Sequence, residues 1–151
     1  KKPLGTIGSL NFIKRKFKKP IILTNSDIIV KSNLADIYFF HLKKKNDITL
    51  IASAKDYIIP YGVCKLDKKG YLKNIDEKPE YNYLINTGLY VLNPSALKII
   101  PKNKKYDAST FINDAKKKGM KIGVYPIGND SWMDVGQWPE YKEATKIINN
   151  E

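Results

Sequence analysis

Apolar residues at Ile7, Leu10, Ile13 and Phe17 recur near the helical period, and Gly5 and Thr6 ahead of them supply start signals. The pattern predicts a helix entered almost at the first residue. "PIILTNSDIIV" follows, a β-branched run that ends in polar residues, as a buried parallel strand emptying into a loop does. Asn33, with Asp36 three residues on, offers a capping box for a helix whose apolar face carries Leu34, Ile37, Tyr38, His41 and Leu42. "DITLIASA" reads as a strand, and "YGVCKLDKKGYLKNIDEK" as two strands joined by the turn "DKKG", where Gly70 supplies a positive φ. "INTGLYVLN" is a further strand, Pro94 opens a short helix through Ile100, "ASTFINDAKKKG" is a helix closed by Gly119, and "KIGVYPIG" is the last strand. The tail "PEYKEATKIINN" is predicted helical from Pro139, with Tyr141, Ala144, Ile147 and Ile148 on one side. Strands that alternate with helices predict an α/β layered fold with a largely parallel sheet, to which the hairpin near Gly70 adds an antiparallel element.

At 151 residues the chain is long enough for one domain with its own core. No repeat or low-complexity linker divides it, so 1–151 is read as a single domain. No apolar run approaches the roughly 20 residues of a membrane span, and no secretory signal is visible, which makes the cytoplasm the expected location. The single Cys64 cannot form an internal disulfide and is expected to be a buried small hydrophobe; His41, the one histidine, is expected to be a packed helix residue.

The net charge of +12 raises nucleic acid as a partner. Two details argue against it. Arg15 is the only arginine, whereas readers of bases and phosphates favour the guanidinium fork, and the lysines stand in short scattered runs typical of solvated helix ends. A basic nucleic-acid-binding module is therefore the third reading.

The chemistry concentrates at strand ends, where α/β sheets bind ligands. Asp27 closes the strand "IILTNSD", and Asp134 lies among Trp132, Met133 and Val135, so its charge needs a partner. Each has a plain reading as a turn aspartate, and together they would make a magnesium pair, since that ion takes one or two carboxylates and leaves its other positions to water and phosphate. In Glu77-Lys78-Pro79 an ammonium suited to phosphate lies beside a carboxylate able to accept from sugar hydroxyls. Gly88 in "NTG" suggests a bulge or close ligand approach, and Asn86 offers both donor and acceptor. Taken singly, each of these is more often a surface turn or a strand irregularity.

In their order, the blocks "PLGTIGSL", "ILTNSD", "YGVCKLDKKGYLKNIDEKP", "NTGLYVLNP" and "WMDVGQWPEYKEA" resemble the sugar-1-phosphate nucleotidyltransferases over nearly the full chain. Within that family the guanylyltransferases of mannose, heptose or glucosamine 1-phosphates are most similar. The resemblance implies a Rossmann-like scaffold that transfers a nucleoside monophosphate from an NTP, GTP being favoured, to a sugar 1-phosphate with release of pyrophosphate. It implies Asp27 and Asp134 as magnesium ligands and Lys78 as the holder of the sugar phosphate. Glu77, Asn86 and the backbone at Gly62 would contact the sugar, and Pro3 and Gly5 would border the base. Ser26 departs from the glycine common in the family before the metal aspartate. The family also opens with a strand and a Gly-rich loop that wraps the triphosphate, and no segment here matches it. The chain is thus read as the C-terminal, sugar-side part of the catalytic domain, lacking the first βα unit and with little or no transferase activity in isolation. Homo-oligomer formation is left open. The second reading is a noncatalytic sugar-phosphate-binding or assembly module of the same fold; a glycosyltransferase would usually show an Asp-x-Asp motif, which is absent.

Overall fold

The computed structural model describes residues 3–13 and 17–136, together with Thr145. The helix expected from Pro139 lies outside the described residues.

A four-stranded sheet orders β1 (Ile21–Thr24), β6 (Glu80–Leu92), β3 (Ile48–Ile58) and β7 (Ile122–Ile127). It is mixed. β1, β3 and β7 share a direction and β6 runs against them, so β3 with β7 is the parallel pairing among the described strands. The run ending in Thr24, expected as a buried parallel strand, is instead a half-buried strand at the sheet edge, antiparallel to β6. Pro126 is tolerated in β7 because that strand too lies at an edge. Two small ribbons complete the β structure: β2 (Ile28–Val30) with β8 (Trp132–Asp134), and β4 (Val63–Leu66) with β5 (Leu72–Asp76).

Alternation along β6 builds two cores. Tyr90 and Leu92 face one side with Ile48, where they meet Ile7 of α1 (Gly5–Gly8) and Phe111 and Ala115 of α3 (Ala108–Lys117). Leu89 and Val91 face the other with Ile51 and Ile127, against Ile37 of α2 (Leu34–Lys44). Successive residues on one strand thus face opposite layers, giving helix, sheet and helix. Tyr106 donates from its hydroxyl to Asp114 Oδ2 at 2.8 Å, and burial, then this carboxylate, push the phenol up to about 12.

Several local signals act as expected, with adjustments. Asn33 caps α2 by accepting from the Ala35 amide at 2.9 Å, one position earlier than a capping box uses. The Asp67 carboxylate accepts from the amides of Lys69 and Tyr71 and closes the β4–β5 turn, where Gly70 has φ +87°. The first helix is shorter than its period suggests. It tightens into a 3-10 turn at Ser9–Phe12 and ends at an extended Ile13, because the amides of Ile7 and Gly8 bond the Tyr106 carbonyl and tie the segment to the loop before α3. Cys64, expected inside, is exposed on β4, which among the described elements packs chiefly on β5. Among the described residues no helix is long and apolar enough to cross a membrane.

His41 is 1% exposed and belongs to a closed polar ring. Asn93 Oδ1 can only accept, so the proton of His41 sits on Nε2, 3.2 Å away, and Nδ1 accepts from the Thr49 hydroxyl at 2.9 Å. Thr49 accepts from Asn46 Nδ2 at 3.0 Å, and Asn93 Nδ2 returns to the Asn46 carbonyl at 2.8 Å. The ring ties α2 to β3 and to the end of β6, and His41 is structural, as expected from the apolar face it occupies. Thr49→Val keeps the side-chain shape but removes the hydroxyl shared by His41 and Asn46; urea unfolding is expected to show a loss of about 1–3 kcal/mol, with Thr49→Ser recovering most of it. Phe111→Ala, at a side chain with no exposed surface, is expected to cost about 3–5 kcal/mol in the same measurement.

Candidate functional site

Asp27 and Asp134 are brought together by backbone pairing. β2 begins directly after Asp27 and β8 ends on Asp134; they pair antiparallel with Ile28 opposite Asp134, and the Val135 amide donates to the Asp27 carbonyl at 2.8 Å. Both carboxylates then reach one point. A methyl group placed on Gly136 would lie 2.9 Å from Asp27 Oδ2 and 3.1 Å from Asp134 Oδ1. Asp134 is half-buried and accepts from the Gly136 amide at 2.9 Å, while Asp27 is exposed. Two carboxylates around a space that only glycine leaves open fit a hard divalent cation. Among the described residues no third His, Cys, Asp or Glu joins them, which suits an ion that keeps water and phosphate in its other positions.

The loop between β1 and β2 is fastened to β6. The Asn25 amide donates to the Gly88 carbonyl at 3.1 Å, and a Cβ on Gly88, whose φ is +81°, would meet Asn25 Nδ2 at 2.7 Å. The close approach expected at "NTG" is thus filled by Asn25. The register of β3 against β6 shifts here, with Leu50 opposite Tyr90 but Ala52 opposite Asn86, which is the bulge the glycine implied. Asn86 is exposed; its amide donates to the Tyr90 hydroxyl at 2.8 Å.

A hollow of about 360 Å³ lined by Thr6, Thr24, Asn25, Ser26 and Asp27 joins this loop to the N-terminal turn. Every lining residue is polar. Thr6 Oγ1 accepts from the Ala108 amide at 2.9 Å, so the turn bearing Pro3 and Gly5 is seated on the start of α3. Gly5 has φ +74°, and a Cβ there would collide with the Asp107 carboxylate and stand 2.8 Å from the Tyr106 carbonyl oxygen. Pro3 is exposed beside it.

Gly62, Glu77 and Lys78 form a second group, at the opposite end of β6. A Cβ on Gly62 would stand 3.0 Å from Glu77 Oε2, so the bare glycine makes room for that carboxylate. Lys78 is left-handed, with φ 44°, directly before Pro79, a backbone state disfavoured for a lysine and more so before proline. The Pro79 carbonyl accepts from the Ile59 amide at 3.1 Å and pins the turn. Eight residues separate Lys78 from Asn86, a span of at most about 26 Å of extended strand, and no described contact joins the ammonium to the carboxylates.

Two residues of this neighbourhood carry no signal of their own in the sequence. Trp132 donates from Nε1 to the Thr87 carbonyl at 3.0 Å and anchors β8 on β6; its place two residues before Asp134, on the same strand face, was the available hint. Asn25 reads as an ordinary loop polar residue until Gly88 is seen beneath it.

Residues 3–151 match the family described as nucleotidyl transferase. The chain is 34% identical over 146 residues to a mannose-1-phosphate guanyltransferase of Pichia angusta, covering 89% of this chain and 38% of that protein. It is 31% identical over 153 residues to mannose-1-phosphate guanylyltransferase 1 of Arabidopsis thaliana, covering 96% of this chain and 42% of that one. The chain thus spans about two fifths of the length of these relatives. Among solved structures, HddC from Yersinia pseudotuberculosis matches with a TM-score of 0.62 at 18% identity, over 97% of this chain and 64% of that one, both alone and complexed with GMP-PN. That likeness establishes the nucleotidyltransferase fold, and the family match covers all the acidic, glycine and lysine positions described above. The chain belongs to the nucleotidyl transferase family, that of the sugar-1-phosphate nucleotidyltransferases.

Proposed function

We propose that this chain supplies the sugar side of a magnesium-dependent reaction that transfers a nucleoside monophosphate from an NTP, with GTP favoured, to a sugar 1-phosphate. The observation that carries the reading is the meeting of Asp27 and Asp134 at Gly136. Those two side chains would hold the magnesium ion, which when bound neutralises charge on the phosphate oxygens. Lys78 is assigned to the phosphate of the sugar, Glu77 with the Gly62 backbone and Asn86 to its hydroxyls, and Pro3 and Gly5 to the edge of the base.

An oxygen of the sugar phosphate attacks the α-phosphorus in line with the departing pyrophosphate, and no covalent intermediate is needed. The protein's contribution is placement and charge. Lys78 enters from a turn pinned by the Ile59 to Pro79 hydrogen bond, and Glu77 is seated against Gly62, so both would reach the sugar pre-oriented. The guanylyltransferase names of the relatives support GTP and a mannose-type acceptor. Because no segment of these 151 residues matches a Gly-rich triphosphate loop, the isolated chain is proposed to have little or no transferase activity.

The test is metal binding by the chain itself, read with Mn2+ by paramagnetic relaxation or calorimetry. One Mn2+ is expected to bind, with Asp27→Asn and Asp134→Asn each weakening it at least tenfold and Gly136→Ala doing so through its methyl group. Tight binding that survives both Asn substitutions would place the ion elsewhere and defeat the reading. In a coupled pyrophosphate assay with GTP, mannose 1-phosphate and Mg2+, the chain alone is expected to release little or none; turnover would show that no external loop is required.

A further inference from the structure

The acidic pair creates a difficulty for any phosphorylated ligand, because two carboxylates repel phosphate, and Lys78 lies at the far end of β6. A second cation stands on the Trp132 side. Lys55, on β3 opposite Tyr83, holds its Nζ 5.8 Å from the centre of the Trp132 ring. That ring is fixed by the indole bond to Thr87. Trp132 and Asp134 alternate with Met133 along β8, so their side chains leave the same face of the ribbon. The ring beneath the ammonium therefore belongs to the strand that presents Asp134.

Lys55 differs from the lysine runs at helix ends in two respects. It is half-buried, whereas Lys43 to Lys45 and Lys116 to Lys118 are exposed. It also has no carboxylate: the ion pairs among the described residues engage Lys65, Lys105 and Lys117, and Asp56, its chain neighbour, points to the opposite face of β3. The aromatic face attracts the ammonium and holds it in place, and among the described residues no carboxylate competes with a phosphate for it.

We infer that Lys55 is a further substrate-binding residue, an ammonium that engages the phosphate of the phosphorylated sugar from the Trp132 side of the site. This rests on the sugar-phosphate reading above, and the experiment separates the two. Calorimetry with mannose 1-phosphate and with plain mannose, at fixed MgCl2, is compared for the wild type, Lys55→Met and Lys55→Arg. Methionine keeps an unbranched stem over the ring while removing the charge. Lys55→Met is expected to weaken mannose 1-phosphate about tenfold, the scale of one charge-assisted contact. Lys55→Arg should recover most of that, with plain mannose and the thermal midpoint unchanged throughout. Equal affinity of wild type and Lys55→Met for mannose 1-phosphate would overturn the inference and leave the proposed function standing. A wild type that does not distinguish the phosphorylated from the plain sugar would overturn both. Loss of binding that follows a lowered thermal midpoint would make Lys55 a packing residue and overturn the inference alone.

Discussion

The bulge of β6 at Thr87 and Gly88 holds both halves of the acidic pair. Thr87 is 2% exposed; its hydroxyl donates to the Ile51 carbonyl at 2.8 Å and so locks the irregular backbone onto β3. Its carbonyl accepts the Trp132 indole, which fixes the strand ending in Asp134. The next residue, Gly88, accepts from the Asn25 amide and leaves room for the Asn25 side chain, which fixes the loop ending in Asp27. Two chain segments remote in sequence are thus referred to one rigid point in the sheet.

Electrostatics explains why such rigidity is needed. Two carboxylates left to relax would separate, and the β2–β8 pairing with the Gly136 amide on Asp134 prevents it. Around them the chain is strongly basic, with 27 lysines and arginines against 15 acidic residues. A basic surface raises the local concentration of anionic ligands in general, and under the proposed function the acidic pair would favour those that arrive with a divalent cation.

Much of this was legible in the sequence, and the limits have physical causes. Helices α2 and α3 carry their periodicity and end signals locally, and the Gly70 turn is written in four residues. Strand direction is not local: β1 has the β-branched look of a parallel strand, and only its partner β6 decides that it pairs antiparallel. β2 and β8 are three residues each, too short for a period, and exist because each supplies the other's hydrogen bonds. The candidate site residues were visible as types in an order, through resemblance to a family, whereas the attachments that position Asp27 and Asp134 were not. Asn25 and Trp132 act through Gly88 and Thr87, contacts that no spacing in the chain announces. Cys64 was misplaced for a related reason, since alternation predicts burial only where something packs on the strand.

The two ends of the site are held by different means, and this bears on how a ligand would be gripped. The carboxylates are tied to the part of β6 that is buried between two core layers. Glu77 and Lys78 precede the other end of that strand, where Glu80 to Leu84 pair with Ala54 to Ile58 and the strands β1 and β7 no longer flank them. Two-stranded ribbons are marginal on their own, and side chains here such as Tyr57, Ile58, Tyr83 and Leu84 are more than half exposed. Order at Lys78 must therefore come from its immediate turn, where the Ile59 to Pro79 hydrogen bond holds the lysine in its disfavoured left-handed state. An acidic end set by the core and an ammonium end set by a stiff turn can differ in stability by several kcal/mol without either losing its geometry. Local opening is then favoured at the ammonium end, while the acidic pair keeps its spacing.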